Sequence, residues 1–136
     1  MAQIEVDKNQ TIDFINSQFN KVYPFLRIGF FKEGHTKGNS VQRSKMILGN
    51  VKIIELMLRG NSEIVDFNGQ TTVWELEQEF EKKFGLHIQV FRKSGSIWLE
   101  TTATDNWSLE QQNEQGEFLD EDLKFEKESP DDHDMY

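Results

Sequence analysis

The sequence predicts an α+β domain assembled from two strand–helix–strand units, and three observations predict it. The chain matches itself: Val6-Asp7-Lys8-Asn9-Gln10-Thr11 aligns with Val65-Asp66-Phe67-Asn68-Gly69-Gln70-Thr71, with Gly69 inserted. Downstream of each copy an apolar stripe recurs at helical spacing. It is Ile12, Ile15, Phe19 and Tyr23 in one half and Val73, Leu76, Phe80 and Phe84 in the other. After each stripe comes a segment of strand period, Leu26, Ile28, Phe30 and Phe31 lying on Leu86, Ile88, Val90 and Phe91.

The elements follow in chain order. A strand over about 3–7 opens the first half. A helix over about 11–23 starts at Thr11, an N-cap residue type, and stops before Pro24, which disfavours helical geometry in the residue before it. A strand over about 25–32 follows. Between the halves, 33–61 is the least patterned stretch. Gly34 to Ser40 reads as a loop, and Asn50 to Leu58 as a short helix capped at Asn50 or a strand, the helix being favoured. The second half repeats the first as strand 62–67, helix 72–84 and strand 86–93. Its helix is better specified, with Thr72 and Glu75 at capping-box spacing and Gly85 in the C′ position. Ser94-Gly95 marks a turn into a further strand over 96–102. A short helix then starts near Ser108, with Gln111 as its capping partner, and is expected to end before Gly116.

Two such halves, joined under the right-handed crossover rule, point to a ferredoxin-like duplicated βαβ sandwich with an additional C-terminal hairpin strand and short helix. That arrangement has one four-stranded antiparallel sheet with both helices on one face. The domain is expected to fill 1–116, with 117–136 as an acidic disordered tail. The tail carries nine acidic side chains against Lys124 and Lys127, which is −7 of the formal charge of −9 on 136 residues. The sequence pI of 4.8 thus reflects the tail, and the domain itself is close to neutral.

The chain has no cysteine, which removes disulfides, thiol nucleophiles and Cys-based zinc sites. No run approaches the ~18 apolar residues of a membrane span. The first residues lack the basic and apolar regions of a secretory signal. A cytoplasmic location is the expectation. His35, His87 and His133 show no ligand spacing, Gly38 is followed by Asn39 rather than a P-loop Lys, and no nucleophile elbow is present. No catalytic residue, metal or cofactor is therefore assigned.

Strand parity supplies the candidate site. If Leu86, Ile88 and Val90 face the helices, then His87, Gln89, Phe91 and Lys93 face away. A turn at Ser94-Gly95 places Phe91 opposite Trp98 on that outer face, and the first half adds Arg27, Gly29 and Phe31. Phe31, Phe91 and Trp98, flanked by His87, Lys93 and Arg27, are the expected binding surface. The competing expectation is that 103–116, with Trp107 and Leu109, folds back and covers the rings. A second, weaker site is the basic loop Lys32, His35, Lys37, Arg43 and Lys45, suited to an anion or an acidic partner. Asp131 to Asp134 reads as solvated tail, and Thr101 to Ser108 as turn and cap chemistry.

Gln89 to Thr102, followed by Asp105 to Asn113, resembles small bacterial proteins of unknown function. The resemblance covers mainly 71–116; it implies a bacterial cytoplasmic origin and no activity. The expected function is a non-enzymatic protein-binding or self-assembly domain, with a homodimer as one form, working through the outer sheet face or a sheet edge. One alternative is a small-molecule sensor binding its ligand at a dimer interface. Another is single-stranded nucleic-acid binding, which the near-neutral domain disfavours because phosphate contact calls for several Lys and Arg.

Overall fold

The computed structural model describes residues 2–34 and 45–128, the stretch 120–128 by backbone alone. Among the described residues it is an α+β fold of five strands and three helices: β1 (Ala2–Val6), α1 (Ile12–Val22), β2 (Leu26–Phe31), β3 (Glu63–Phe67), α2 (Val73–Phe84), β4 (His87–Ser94), β5 (Ile97–Glu100) and α3 (Leu109–Glu128). Short 3-10 turns at Ile53–Glu55 and Thr102–Thr104 interrupt the connections.

Strands that correspond between the two halves pair with each other. β1 and β3 run antiparallel with Ile4 opposite Val65, and β2 and β4 run antiparallel with Ile28 opposite Val90. The result is two sheets, β1-β3 and β2-β4-β5, in place of the single four-stranded ferredoxin-like sheet that was expected. The physical reason lies at the strand edges. Gln18 donates Nε2–H to the Glu5 carbonyl and accepts the Glu5 N–H, at 2.8 and 2.7 Å. Asn16 does the same for Ile28, at 2.9 and 2.8 Å. Both side chains come from α1. They saturate backbone groups that a continuous sheet would need for its next ladder, and such groups are rarely left unpaired.

The helices form for the reasons their sequences give. Ile12, Ile15 and Phe19 of α1, and Val73, Leu76, Phe80 and Phe84 of α2, are buried together with Ile4, Val6, Val65 and Phe67 in one core. At α2 the capping box is closed, the Glu75 N–H reaching Thr72 Oγ1 at 3.1 Å and the Thr72 N–H reaching Glu75 Oε1 at 2.9 Å. Hydrogen bonds from the Thr72 backbone N–H, and then from its hydroxyl, hold the Glu75 carboxyl below its ordinary range. Gly85 ends α2 in the left-handed region at φ 66°. Thr11 does not cap α1 with its side chain. The start of α1 is satisfied instead by the distant connection, through Asn50 Oδ1 to the Asp13 N–H (3.0 Å) and the Val51 carbonyl to the Ile12 N–H (3.0 Å).

Within Asn50–Leu58, where a helix was favoured, that connection forms the short turn Ile53–Glu55, which buries Ile53 completely. Its earlier part, 45–47, runs beside β2. The Lys32 N–H bonds the Lys45 carbonyl, and the Ile47 N–H bonds the Phe30 carbonyl.

The largest departure from expectation is α3. Ser108 and Gln111 form the predicted cap, but the helix continues through Gly116 to Glu128. Residues 117–128 of the expected tail are thus helical, and 129–136 lie outside the described residues. Gly116 is a contact rather than a stop. A Cβ there would stand 2.8 Å from Phe25 Cβ and 3.3 Å from Arg92 Cγ, so α3 uses the missing side chain to lie close to β2 and β4.

Candidate functional site

The outer face of β2-β4-β5 has the parity that the sequence implied. Leu26, Ile28, Phe30, Leu86, Ile88 and Val90 join the main core, whereas Phe31 and Phe91 form a separate buried cluster with Met46 and Trp98 packed against it. The Phe31 and Phe91 rings are nearly parallel, their centroids 6.3 Å apart. The Arg27 guanidinium lies over the Trp98 ring, 5.4 Å from its centroid. His87, Lys93, Arg27 and Trp98 are half-buried around the rim.

The register of the β4-β5 hairpin differs from the expected one. Ser94 faces Ile97, Lys93 faces Trp98 and Phe91 faces Glu100, so the turn is Gly95-Ser96. The slip is two residues, which leaves every side chain on the face assigned to it.

The face is covered, though not by the segment proposed for it. Leu109 joins the main core and α3 packs on β4 and β2 from the helix side, its Gln112 bonded to Arg92. Met46 instead lies over the rings, brought there by the pairing of 45–47 with β2. Gly29 makes room beneath, because a Cβ on it would stand 2.6 Å from Phe91 Cε1 and 3.1 Å from Met46 Cε. Phe31 and Phe91 therefore do not present the open ring faces that base stacking uses.

Opposite Gly29 stands Gln89, only 2% exposed, with neither amide atom hydrogen-bonded. Leaving a buried donor and acceptor unpaired costs stability, whereas an apolar replacement of equal shape does not. Gln89→Met is expected to raise the unfolding free energy by about 1–2 kcal/mol in urea denaturation. A loss of stability in that variant would mean that the amide has a partner after all.

Of the basic loop, Lys32 and Lys45 are described. Lys45 is paired with Glu33 at 3.3 Å. His35, Lys37 and Arg43 lie outside the described residues. His87 turns toward α2, its Nδ1 2.6 Å from Glu81 Oε2. Phe31, Lys32 and His87 then border a cavity of about 170 Å³ whose walls include Phe30, Ile47, Leu56 and Leu86. Among the described residues no group of three His, Asp or Glu side chains is placed to hold a metal ion.

A second surface lies at the other end of β4. Arg92, paired across the sheet with Leu99, donates to Gln112 Oε1 at 2.8 Å, and its guanidinium stands 5.9 Å from the centroid of the Trp107 ring. Burial pushes the Arg92 pKa down from its ordinary value. Trp107 continues into a depression along α3, lined by Gln111, Gln115 and Phe118. Comparison with protein-family models, curated proteins and solved structures yields no match.

Sequence reasoning placed Gly29 on the outer face but missed Met46, Arg92 and Phe118 as parts of these surfaces. The spacing of Gln111, Gln115 and Phe118 on one helical face was available to it, but the early stop assigned at Gly116 concealed the pattern. For Met46 no local signal exists, since its place is set by long-range pairing.

Proposed function

We propose that the chain is a non-enzymatic protein-association domain and that its association surface is the β5 edge together with the outward face of α3, a second copy of the chain being its first partner. One observation carries the reading. Ile97 (57% exposed), Leu99, Trp107 and Phe118 (63% exposed) are large apolar side chains left open to solvent. Arg92 links them, facing Leu99 on one side and Trp107 on the other. Scattered apolar side chains need no explanation, whereas a linked set on a terminal strand and the helix beside it suits a partner. β5 is the last strand in its sheet, so an added strand could extend the ladder there.

The outer sheet face supports association less well, because Phe31 and Phe91 at its centre are already covered. The pairing of β1 with β3 and of β2 with β4 supports reading the chain as a duplicated strand–helix–strand unit. No helix among the described residues is long and apolar enough to cross a membrane.

Light scattering coupled to size exclusion over a wide concentration range tests the reading. The wild-type mass is expected to rise toward that of a dimer, and Ile97→Lys and Phe118→Lys, both at exposed positions, are expected to hold the chain monomeric. A wild-type chain that stays monomeric throughout, or variants that associate as it does, would overturn self-association.

A further inference from the structure

We infer that the free edge of β3 is a docking site for an extended basic peptide, which adds to the β1-β3 sheet as a further strand. The surface lies in the other sheet from β5. With only β1 and β3 in it, this sheet leaves each strand one edge without a neighbouring strand. The two edges differ. Glu5 of β1 gives its N–H and its carbonyl to the Gln18 amide. Opposed residues of an antiparallel pair exchange both backbone bonds or neither, so Glu5 and the Ile64 opposite it exchange none. The backbone groups of Ile64, and of Asp66 two residues on, therefore point away from β1. Among the described residues they meet no hydrogen-bond partner.

Corresponding positions in the two halves explain why one edge is closed and the other open. The turn after β1 is held by Asp7 Oδ1 on the Asn9 N–H, and the turn after β3 by Asn68 Oδ1 on the Gln70 N–H. On that correspondence Glu5 matches Asp66, and Gln18 of α1 matches Glu79 of α2. An amide both donates and accepts, so Gln18 can close an edge, whereas a carboxylate only accepts. Glu79 is also engaged by Lys83, at 3.6 Å, and α2 does not run close along β3 as α1 does along β1. An open strand edge is where another chain pairs.

The charge around this edge selects the partner. Glu5, Glu63, Asp66 and Glu79 surround it, with Lys83 bridging Glu63 and Glu79. Ile64, 49% exposed, is the apolar side chain that shares the outward face with Asp66. An antiparallel strand added there sets one residue opposite Ile64 and, two places before it, another opposite Asp66. A β-branched residue suits the first position, and Lys or Arg the second.

A heteronuclear NMR titration of the full chain with the end-blocked peptide Thr-Lys-Thr-Val-Thr-Lys-Thr tests the site. The peptide is expected to shift the amide resonances of Ile64, Val65 and Asp66 in a saturable way and to slow hydrogen exchange at Ile64 and Asp66. The same peptide N-methylated at Val and at both Lys keeps its charge but loses the N–H groups that pair with the edge. It is expected to bind at least about tenfold more weakly, as is the peptide with Glu in place of both Lys. Asp66→Lys, at an exposed position, is expected to reverse the preference, so that the Glu peptide binds more tightly than the Lys peptide. Absence of saturable shifts, shifts centred away from β3, equal binding of the N-methylated peptide, or an unaltered preference in Asp66→Lys would each overturn the assignment.

Discussion

Replacing Asn16 by Ala is expected to cost about 2–4 kcal/mol of unfolding free energy, far more than a half-buried polar side chain on a helix ordinarily contributes. The Asn16 amide satisfies both backbone groups of Ile28, and Ile28 is 1% exposed. Truncation leaves a buried N–H and a buried carbonyl without partners, at about 1–3 kcal/mol each, offset in part by whatever water reaches them. Asn16→Asp separates the two contributions. It keeps an acceptor for the Ile28 N–H but sets a carboxylate against the Ile28 carbonyl, so it is expected to be no better than Ala. Ser17→Ala, one residue on, removes only an exposed bond to the Phe14 carbonyl and serves as the control. Urea denaturation gives the free energies, and hydrogen exchange at the Ile28 amide reports the site directly. A loss under about 0.5 kcal/mol for Asn16→Ala would show that the edge of β2 does not depend on this side chain.

The same residue shows where reading the sequence stops. The stripe of Ile12, Ile15 and Phe19, the capping box of Thr72 and Glu75, and the alternation from Leu86 to Val90 are local patterns, and each appears in the structure as written. Asn16 and Gln18 look like ordinary solvent-facing positions on an amphipathic helix. Their role as edge caps depends on which strands lie beside α1, and pairing partners are non-local. Once both edges are capped, one sheet becomes two, and no period in the sequence reports that.

The candidate face was legible in the same partial way. Parity put Phe31, Phe91 and Trp98 on one side of β2-β4-β5, and they are there. Parity is also blind to a slip of two, which is why the hairpin register could be misplaced without moving a side chain to the wrong face. What a period cannot give is the layer above the face. Met46 reaches it by the pairing of 45–47 with β2, a contact between segments separated by the least patterned stretch of the chain.

Gly116→Ala is expected to destabilise the protein by about 1–3 kcal/mol, the reverse of what helix propensity alone gives. In an exposed helix interior, Gly to Ala is worth roughly 1 kcal/mol of added stability, because alanine has less backbone entropy to lose. At position 116 the new methyl would enter a space already taken, 2.8 Å from Phe25 Cβ, 3.3 Å from Arg92 Cγ and 3.4 Å from the Lys93 carbonyl. Phe25 Cβ sits directly on the backbone and has no rotamer that clears the contact, so α3 itself must move. Moving it strains the Gln112 bonds to Arg92 and Thr104 and the Asn113 acceptor for the Phe25 N–H. These bonds tie α3 to β4 and β2, so the penalty is expected to appear in the global unfolding transition and not as local fraying of the helix end. Differential scanning calorimetry on Gly116→Ala beside Glu117→Ala, an exposed neighbour in the same helix, distinguishes the two effects. A melting temperature raised in both would mean that α3 stands off from the sheet and that Gly116 is an ordinary helical position.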